Sequence, residues 1–170
     1  VYLELSAVFS GMKEIKCSLE RAKAEKMAYK KTVLFIDEIH RFNKTQQDAF
    51  LPFVEDGSIF LIGATTENPS FEINKALLSR VQIYRLNRVM NSDVVVMLER
   101  ALSEFYPSSQ VTSGCLCRIA GLADGDARQA LNLLELALDS FETEDTSDIL
   151  NEGMFEKLLK YRPLQFDKGG

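Results

Sequence analysis

The sequence predicts an α/β fold, a parallel sheet with flanking helices over the first half of the chain, followed by a second half that is all helix. Three observations predict it. Two segments, Thr32–Ile36 and Ser58–Ala64, are short, almost continuously apolar and rich in β-branched residues, the pattern of strands covered on both faces in a parallel sheet. Stretches of helical period separate them from each other and from an extended opening, Val1–Leu5. Beyond Asn87 the strand pattern stops, and the apolar residues recur only at helical spacing.

Taken in order, Val1–Leu5 reads as a strand cut from a longer chain. Ser10 then offers an N-cap for a helix whose apolar face is Ile15, Leu19 and Ala22, with Lys26 to Lys31 placing cations at its C-terminal end. The strand Thr32–Ile36 ends abruptly in Asp37-Glu38. Ala49, Phe50 and Phe53 give Thr45–Val54 the character of a short helix in spite of Pro52, and Glu55-Asp56-Gly57 closes it with a turn. The strand Ser58–Ala64 ends in Thr65-Thr66, a polar loop and a helical Asn74–Ser79 follow, and Val81–Leu86 is expected as one more strand. Alternating strands and helices imply right-handed crossovers in a parallel sheet. The later helices are expected at Val94–Phe105, Gly114–Leu122, Ala127–Phe141 and Met154–Tyr161, with the acidic Glu142–Asp148 as a solvated loop. The domain boundary is expected at residues 87/88, and no internal repeat is evident.

Composition narrows the function classes. An apolar fraction of 46% and a charged fraction of 26% over 170 residues are those of a globular protein, and no apolar run approaches the roughly twenty residues of a membrane span. The opening residues lack the basic start of a secretory signal. Cys17, Cys115 and Cys117 are odd in number, and the last two are too closely spaced for a zinc knuckle, so neither a disulfide framework nor a zinc site is expected. Free thiols suit a reducing compartment, cytosol or nucleus, and all three are expected as small core residues. One histidine in the whole chain leaves almost no material for a catalytic zinc or a Ser-His-Asp triad. A net charge of −5 argues against a surface that is wholly a nucleic-acid footprint. Lys13 to Lys31 is locally basic, which fits a solvated helix face with Glu/Lys pairs and also a face toward phosphate.

The residues that carry chemistry lie at strand ends. An acid pair at the carboxyl end of a buried strand stands where an open α/β sheet binds its ligands. There Asp37 can hold magnesium, while Glu38, pointing the other way, can polarise a water for attack on a γ-phosphate. Thr65-Thr66 ends the next buried strand and brings hydroxyls beside the acids if the strands are neighbours; the same threonines also suit a strand-end turn, as does Asn68 before Pro69. Arg128 falls in the first turn of a helix, where the helix dipole disfavours a cation, so a phosphate or a salt bridge to Asp124 or Asp126 is expected to compensate. Arg80 lies at the surface after a helix. His40 completes Asp37-Glu38-Ile39-His40, the form of a helicase box, and is expected to pack or hydrogen-bond at a helix start.

Together these segments resemble the AAA+ family of replication-associated recombination protein A and the eukaryotic Werner-helicase-interacting ATPase, relatives of the clamp-loader subunits. The resemblance rests on Val33–Lys44, Gln46–Pro52, Gly63–Phe71, Leu77–Arg80 and Gly125–Asn132, in that order over most of the chain. It implies a truncated P-loop-type AAA+ sheet with an all-helical lid, hydrolysing ATP with Mg2+. Asp37-Glu38 looks like the Walker B pair, Thr66 or Asn68 like sensor 1, Arg80 like the arginine finger and Arg128 like sensor 2. Ser6 falls where many relatives have an asparagine that restrains the catalytic glutamate. By the same resemblance the parent protein acts on DNA with single-stranded gaps, forks or junctions, in replication, recombination and repair, as a homo-oligomer with possible replication and repair partners and no membrane, cytoplasmic in a bacterium or nuclear in a eukaryote.

One departure matters. No Gly-x-x-x-x-Gly-Lys-Ser/Thr occurs, so the backbone nest and lysine that hold the β- and γ-phosphates are missing from this sequence, and an excised fragment, inactive by itself, is expected. Two other readings compete. A DExH-type helicase core would continue into a second α/β domain rather than turn helical after Asn87. A clamp-loader-like scaffold subunit that does not hydrolyse would have no use for Glu38.

Overall fold

The computed structural model describes residues 1–142 and 149–161. The chain divides into two compact units, Val1–Arg85 and Leu86–Gly170. The expected acidic loop lies, beyond Glu142, outside the described residues.

In the first unit, β1 (Tyr2–Ser6), β2 (Val33–Asp37) and β3 (Phe60–Gly63) form a parallel sheet in the order β1-β2-β3. Leu3, Leu34 and Leu61 share a register row, as do Leu5, Ile36 and Gly63, so the leucines and Ile36 point to one face. That face is covered: Leu34 and Ile36 are fully buried with Ile15, Leu19 and Ala22 in the same core cluster. The opposite face is not covered. Tyr2, Phe60 and Ile62 are each more than half exposed, which corrects the expectation of strands covered on both sides.

Helix α1 (Met12–Met27) carries Ile15, Leu19 and Ala22 on its buried face, as their spacing requires. Its N-cap is Gly11 rather than Ser10, because the Glu14 carboxylate reaches back to accept the Gly11 N–H at 2.8 Å. After β2 comes a single 3-10 turn (Ile39–Arg41). The helix expected at 45–54 is two short ones, α2 (Lys44–Asp48) and α3 (Leu51–Glu55). Pro52 is the reason: it has no N–H to continue the ladder, so the helix restarts with proline in its first turn. The fully buried Phe50 sits at the break. Two further short helices, α4 (Pro69–Glu72) and α5 (Lys75–Leu78), follow β3.

The strand expected at Val81–Leu86 does not form, and 80–90 holds no regular structure. Its alternating apolar residues find no described strand to pair with, and Ile83, Tyr84 and Leu86 are exposed. A strand without a ladder partner leaves its backbone groups to water.

The second unit packs α6 (Asn91–Phe105), α7 (Ser113–Ala123), α8 (Ala127–Glu142) and α9 (Glu152–Tyr161) around a separate core of Val94, Leu98, Ile119, Leu134 and Phe155. A parallel bridge, Val111 to Leu150, ties the segment before α7 to the one before α9. The thiols divide: Cys115 is buried in this core, and Cys17 and Cys117 are exposed, correcting their expected burial. Burial, with Glu152 nearby, pushes the Cys115 thiol up to about 11.

Candidate functional site

Parallel strands bring their carboxyl ends to one edge of the sheet. Ser6 is in register with Asp37, and Ile36 with Gly63, so the ends of all three strands meet there. Glu38 leaves β2 in the left-handed conformation, φ 53° and ψ 46°. For a non-glycine residue this costs on the order of 1–3 kcal/mol and persists only where the surroundings hold it. Two backbone bonds do so: Arg41 N–H donates to Glu38 O at 2.8 Å, and Ile39 N–H to Ala64 O at 3.0 Å. Gly63 gives Ile39 room, since a Cβ at Gly63 would stand 3.0 Å from the Ile39 side chain.

The abrupt turn separates the two acids. Asp37 is exposed and has no hydrogen bond or ion pair from its side chain among the described residues. Glu38 is turned toward the end of β3, where its Oε2 accepts from the Thr66 hydroxyl at 3.3 Å and the Thr66 N–H at 3.4 Å. His40 Nδ1 stands 3.1 Å from the same oxygen and 2.8 Å from Thr65 Oγ1, which also accepts the Glu67 N–H at 3.0 Å. Glu38, His40, Thr65 and Thr66 therefore form one polar cluster across two neighbouring strand ends.

A hard divalent cation such as magnesium fits Asp37. The ion takes one or two carboxylates and completes its shell with water and substrate phosphate oxygens. An exposed carboxylate with no competing partner has the chemistry of such a ligand.

Within the first unit, the other expected site residues, Asn68 and Arg80, lie outside the cluster. Asn68 caps α4, its side chain accepting from Ser70 N–H at 3.1 Å. Arg80 turns back on its own unit: Nε donates to Glu55 Oε1 at 2.6 Å, with Nη2 2.5 Å from the same oxygen. Its Nη1 donates to Ala76 O and Ser79 Oγ at 2.7 and 2.9 Å. Arg128 belongs to the second unit, exposed in the first turn of α8. The salt bridges that would compensate it are not made, because Asp124 pairs with Arg88 and Asp126 accepts from Gln129 N–H at 2.9 Å.

Two members of the cluster are more than the sequence suggested. The contact from His40 to Thr65 spans 25 residues and has no local signature. The only signal was the position of each: one three residues after the acid pair's first member, the other at the end of the next buried strand.

Comparison with known proteins identifies the family. Residues 3–89, about half of the chain, fit the sequence profile of the ATPase family associated with various cellular activities (AAA), and residues 106–170 that of the AAA C-terminal domain. The chain is 45% identical over 172 residues to replication-associated recombination protein A of Escherichia coli K12, and 43% over 173 residues to that of Haemophilus influenzae. Each alignment covers 98% of this chain and 38% of the relative. It is 40% identical to the ATPase WRNIP1 of Dictyostelium discoideum, covering 98% of this chain and 21% of that one. The chain thus spans well under half the length of these relatives. Among solved structures, the Thermotoga maritima RuvB Holliday junction branch migration motor superposes with a TM-score of 0.74 at 23% identity, over 94% of this chain and 52% of that one, a likeness of fold.

Proposed function

We propose, from the premise that the chain belongs to the AAA family of ATPases, that it carries the water-activating and sensing part of an ATP hydrolase whose parent protein acts on DNA. The observation that carries the reading is the division of labour at the end of β2. Asp37 is an unpartnered exposed carboxylate, and Glu38 is held the other way in a strained conformation against the end of β3.

In this reading Asp37 would hold magnesium, and the ion would supply positive charge to offset the negative charge that develops on the phosphate. Glu38 takes the proton of the attacking water as the water oxygen bonds to the γ-phosphorus. The bond from that phosphorus to the bridging oxygen breaks, and ADP leaves with the electron pair. Thr66 serves as sensor 1, supported by its contact with Glu38 Oε2, and Asn68 is left to cap its helix. Arg128, a cation with no ion pair among the described residues, serves as sensor 2 within its own subunit. Arg80 serves as an arginine finger toward the nucleotide of an adjacent subunit, leaving Glu55 to do so. The functional division is taken as 1–87 for the nucleotide-binding part and 88–170 for the lid.

Two of the relatives named above are called replication-associated recombination proteins. That likeness supports a homo-oligomeric parent that couples ATP turnover to DNA remodelling at gaps, forks or junctions, in the cytosol of a bacterium or the nucleus of a eukaryote. The deciding experiment uses the full-length parent. Glu38→Gln keeps the shape and loses the base, so magnesium-ATP affinity should hold while turnover falls by about 10² or more. Equal turnover in variant and wild type removes Glu38 from its role.

A further inference from the structure

We propose that His40 is a positioning residue that fixes the Glu38 carboxylate through its Nδ1–H and couples it to Thr65 on the neighbouring strand end. The inference rests on the reading of Glu38 as the group that activates water.

Glu38 Oε2 has three polar neighbours, and the two from Thr66, at 3.3 and 3.4 Å, are long for hydrogen bonds. The His40 Nδ1 contact at 3.1 Å is the shortest of the three. An ionised carboxylate only accepts, so the contact is attractive only with a hydrogen on Nδ1. The same nitrogen stands 2.8 Å from Thr65 Oγ1, its hydrogen-bond partner, with the Glu38 oxygen beside it as a charge contact. The imidazole is thus shared between an acid at the end of β2 and a hydroxyl just past the end of β3, with only 12% of its side chain exposed.

Two consequences follow. With its polar contacts gathered on Oε2, Glu38 keeps Oε1 free of partners among the described residues, open to accept a proton. No such restraint comes from β1: Ser6, in register with Asp37, makes no side-chain hydrogen bond among the described residues, so the hold on the glutamate comes from its own turn and from the end of β3. A shift of the Thr65–Glu67 segment is transmitted through the ring to the carboxylate. A misplacement on the order of 1 Å at a reacting group costs about 10² in rate.

The test has two arms. In the full-length parent, His40→Phe keeps the ring and removes the donor, and His40→Asn restores an amide N–H near the Nδ1 position. We expect His40→Phe to lower kcat by about 10- to 100-fold with KM for ATP changed by less than about twofold, and His40→Asn to recover most of the loss. Undiminished kcat in His40→Phe, or an equal loss in both variants, overturns the proposal. Glu38→Gln, assayed alongside, separates the two layers: its inactivity with an active His40→Phe sinks only the role of His40. Normal turnover in Glu38→Gln sinks the underlying reading and this inference with it. The second arm needs no activity. This chain has one histidine, so a long-range nitrogen–proton NMR spectrum in alkaline buffer reports a single neutral imidazole. The Nδ1–H tautomer is expected, and a bare Nδ1 overturns the proposal even if His40→Phe fails to fold.

Discussion

Gly125 is where one added methyl should do the most damage relative to its size. It follows Asp124, itself left-handed at φ 46°, and has φ 82°, making the tight turn from α7 into the helix that carries Arg128. Alanine there meets two separable costs. The left-handed backbone costs an L-residue roughly 1–2 kcal/mol, offset by about 0.4–1 kcal/mol from the stiffer unfolded chain. The second cost is steric: a Cβ would stand 2.8 Å from Val89 O and 3.2 Å from the Arg88 side chain. Backbone cannot step aside as a side chain end can, and overpacking of this kind costs about 1–3 kcal/mol. Gly125→Ala should therefore destabilise the second unit by about 2–4 kcal/mol. At roughly 4–8 °C per kcal/mol for a unit of this size, that lowers Tm by about 10–30 °C. Gly57 supplies the control, with φ 71° and nothing within 4 Å of a Cβ, so Gly57→Ala bears the backbone cost alone, about 1 kcal/mol or less. Calorimetric melting of both variants, with hydrogen exchange on α7 and α8 to assign the transition, measures the difference. Equal losses of stability in the two would refute the steric half of the argument.

Other outcomes test the site and the cores. Mixed assemblies of Arg80→Ala and Glu38→Gln parent subunits should regain ATPase activity, because each keeps what the other lacks. No regained activity, with mixing confirmed, would mean that Arg80 serves its own subunit, where it already binds Glu55. A trans finger is worth roughly 10³–10⁵ in rate, so the single variant should be nearly inactive with nucleotide affinity largely kept. A maleimide reagent near neutral pH should label Cys17 and Cys117 in the native chain and spare Cys115, whose thiol stays protonated below about 11; mass spectrometry showing three rapid additions contradicts that burial. Phe50→Ala empties a fully buried position between α2 and α3 and should cost about 3–5 kcal/mol in the first unit, read by denaturant titration; a loss under about 1 kcal/mol would mean that the break between the helices collapses to fill the space.

Much of the sheet and nearly all of the helical unit were legible in the sequence. Apolar runs ending at Asp37 and Gly63 marked two strands, and Ile15, Leu19 and Ala22 marked the buried face of α1, because burial imposes its period on the chain locally. The errors have two causes. Ser10 lost the cap to Gly11 once Glu14 folded back, and Pro52 split one expected helix into two, both short-range competitions that residue type alone does not rank. Val81–Leu86 had the alternation of a strand but no described strand beside it, and pairing is a property of the sheet rather than of the segment.

The site divides in the same way. The sequence alone determined which groups stand at the strand ends, since an acid pair after a buried apolar run and hydroxyls after the next one are consecutive residues. Tertiary structure decided what each group touches. The left-handed turn at Glu38 sends neighbouring carboxylates to different surroundings. His40 meets Thr65, Glu38 meets Thr66 and Arg80 meets Glu55 across separations of 25 to 28 residues. Those contacts exist because parallel strands bring residues distant in the chain to one edge, and because short helices return the chain to within reach of a side chain. Local periodicity carries no record of either, so composition and spacing could name the participants but not their partners.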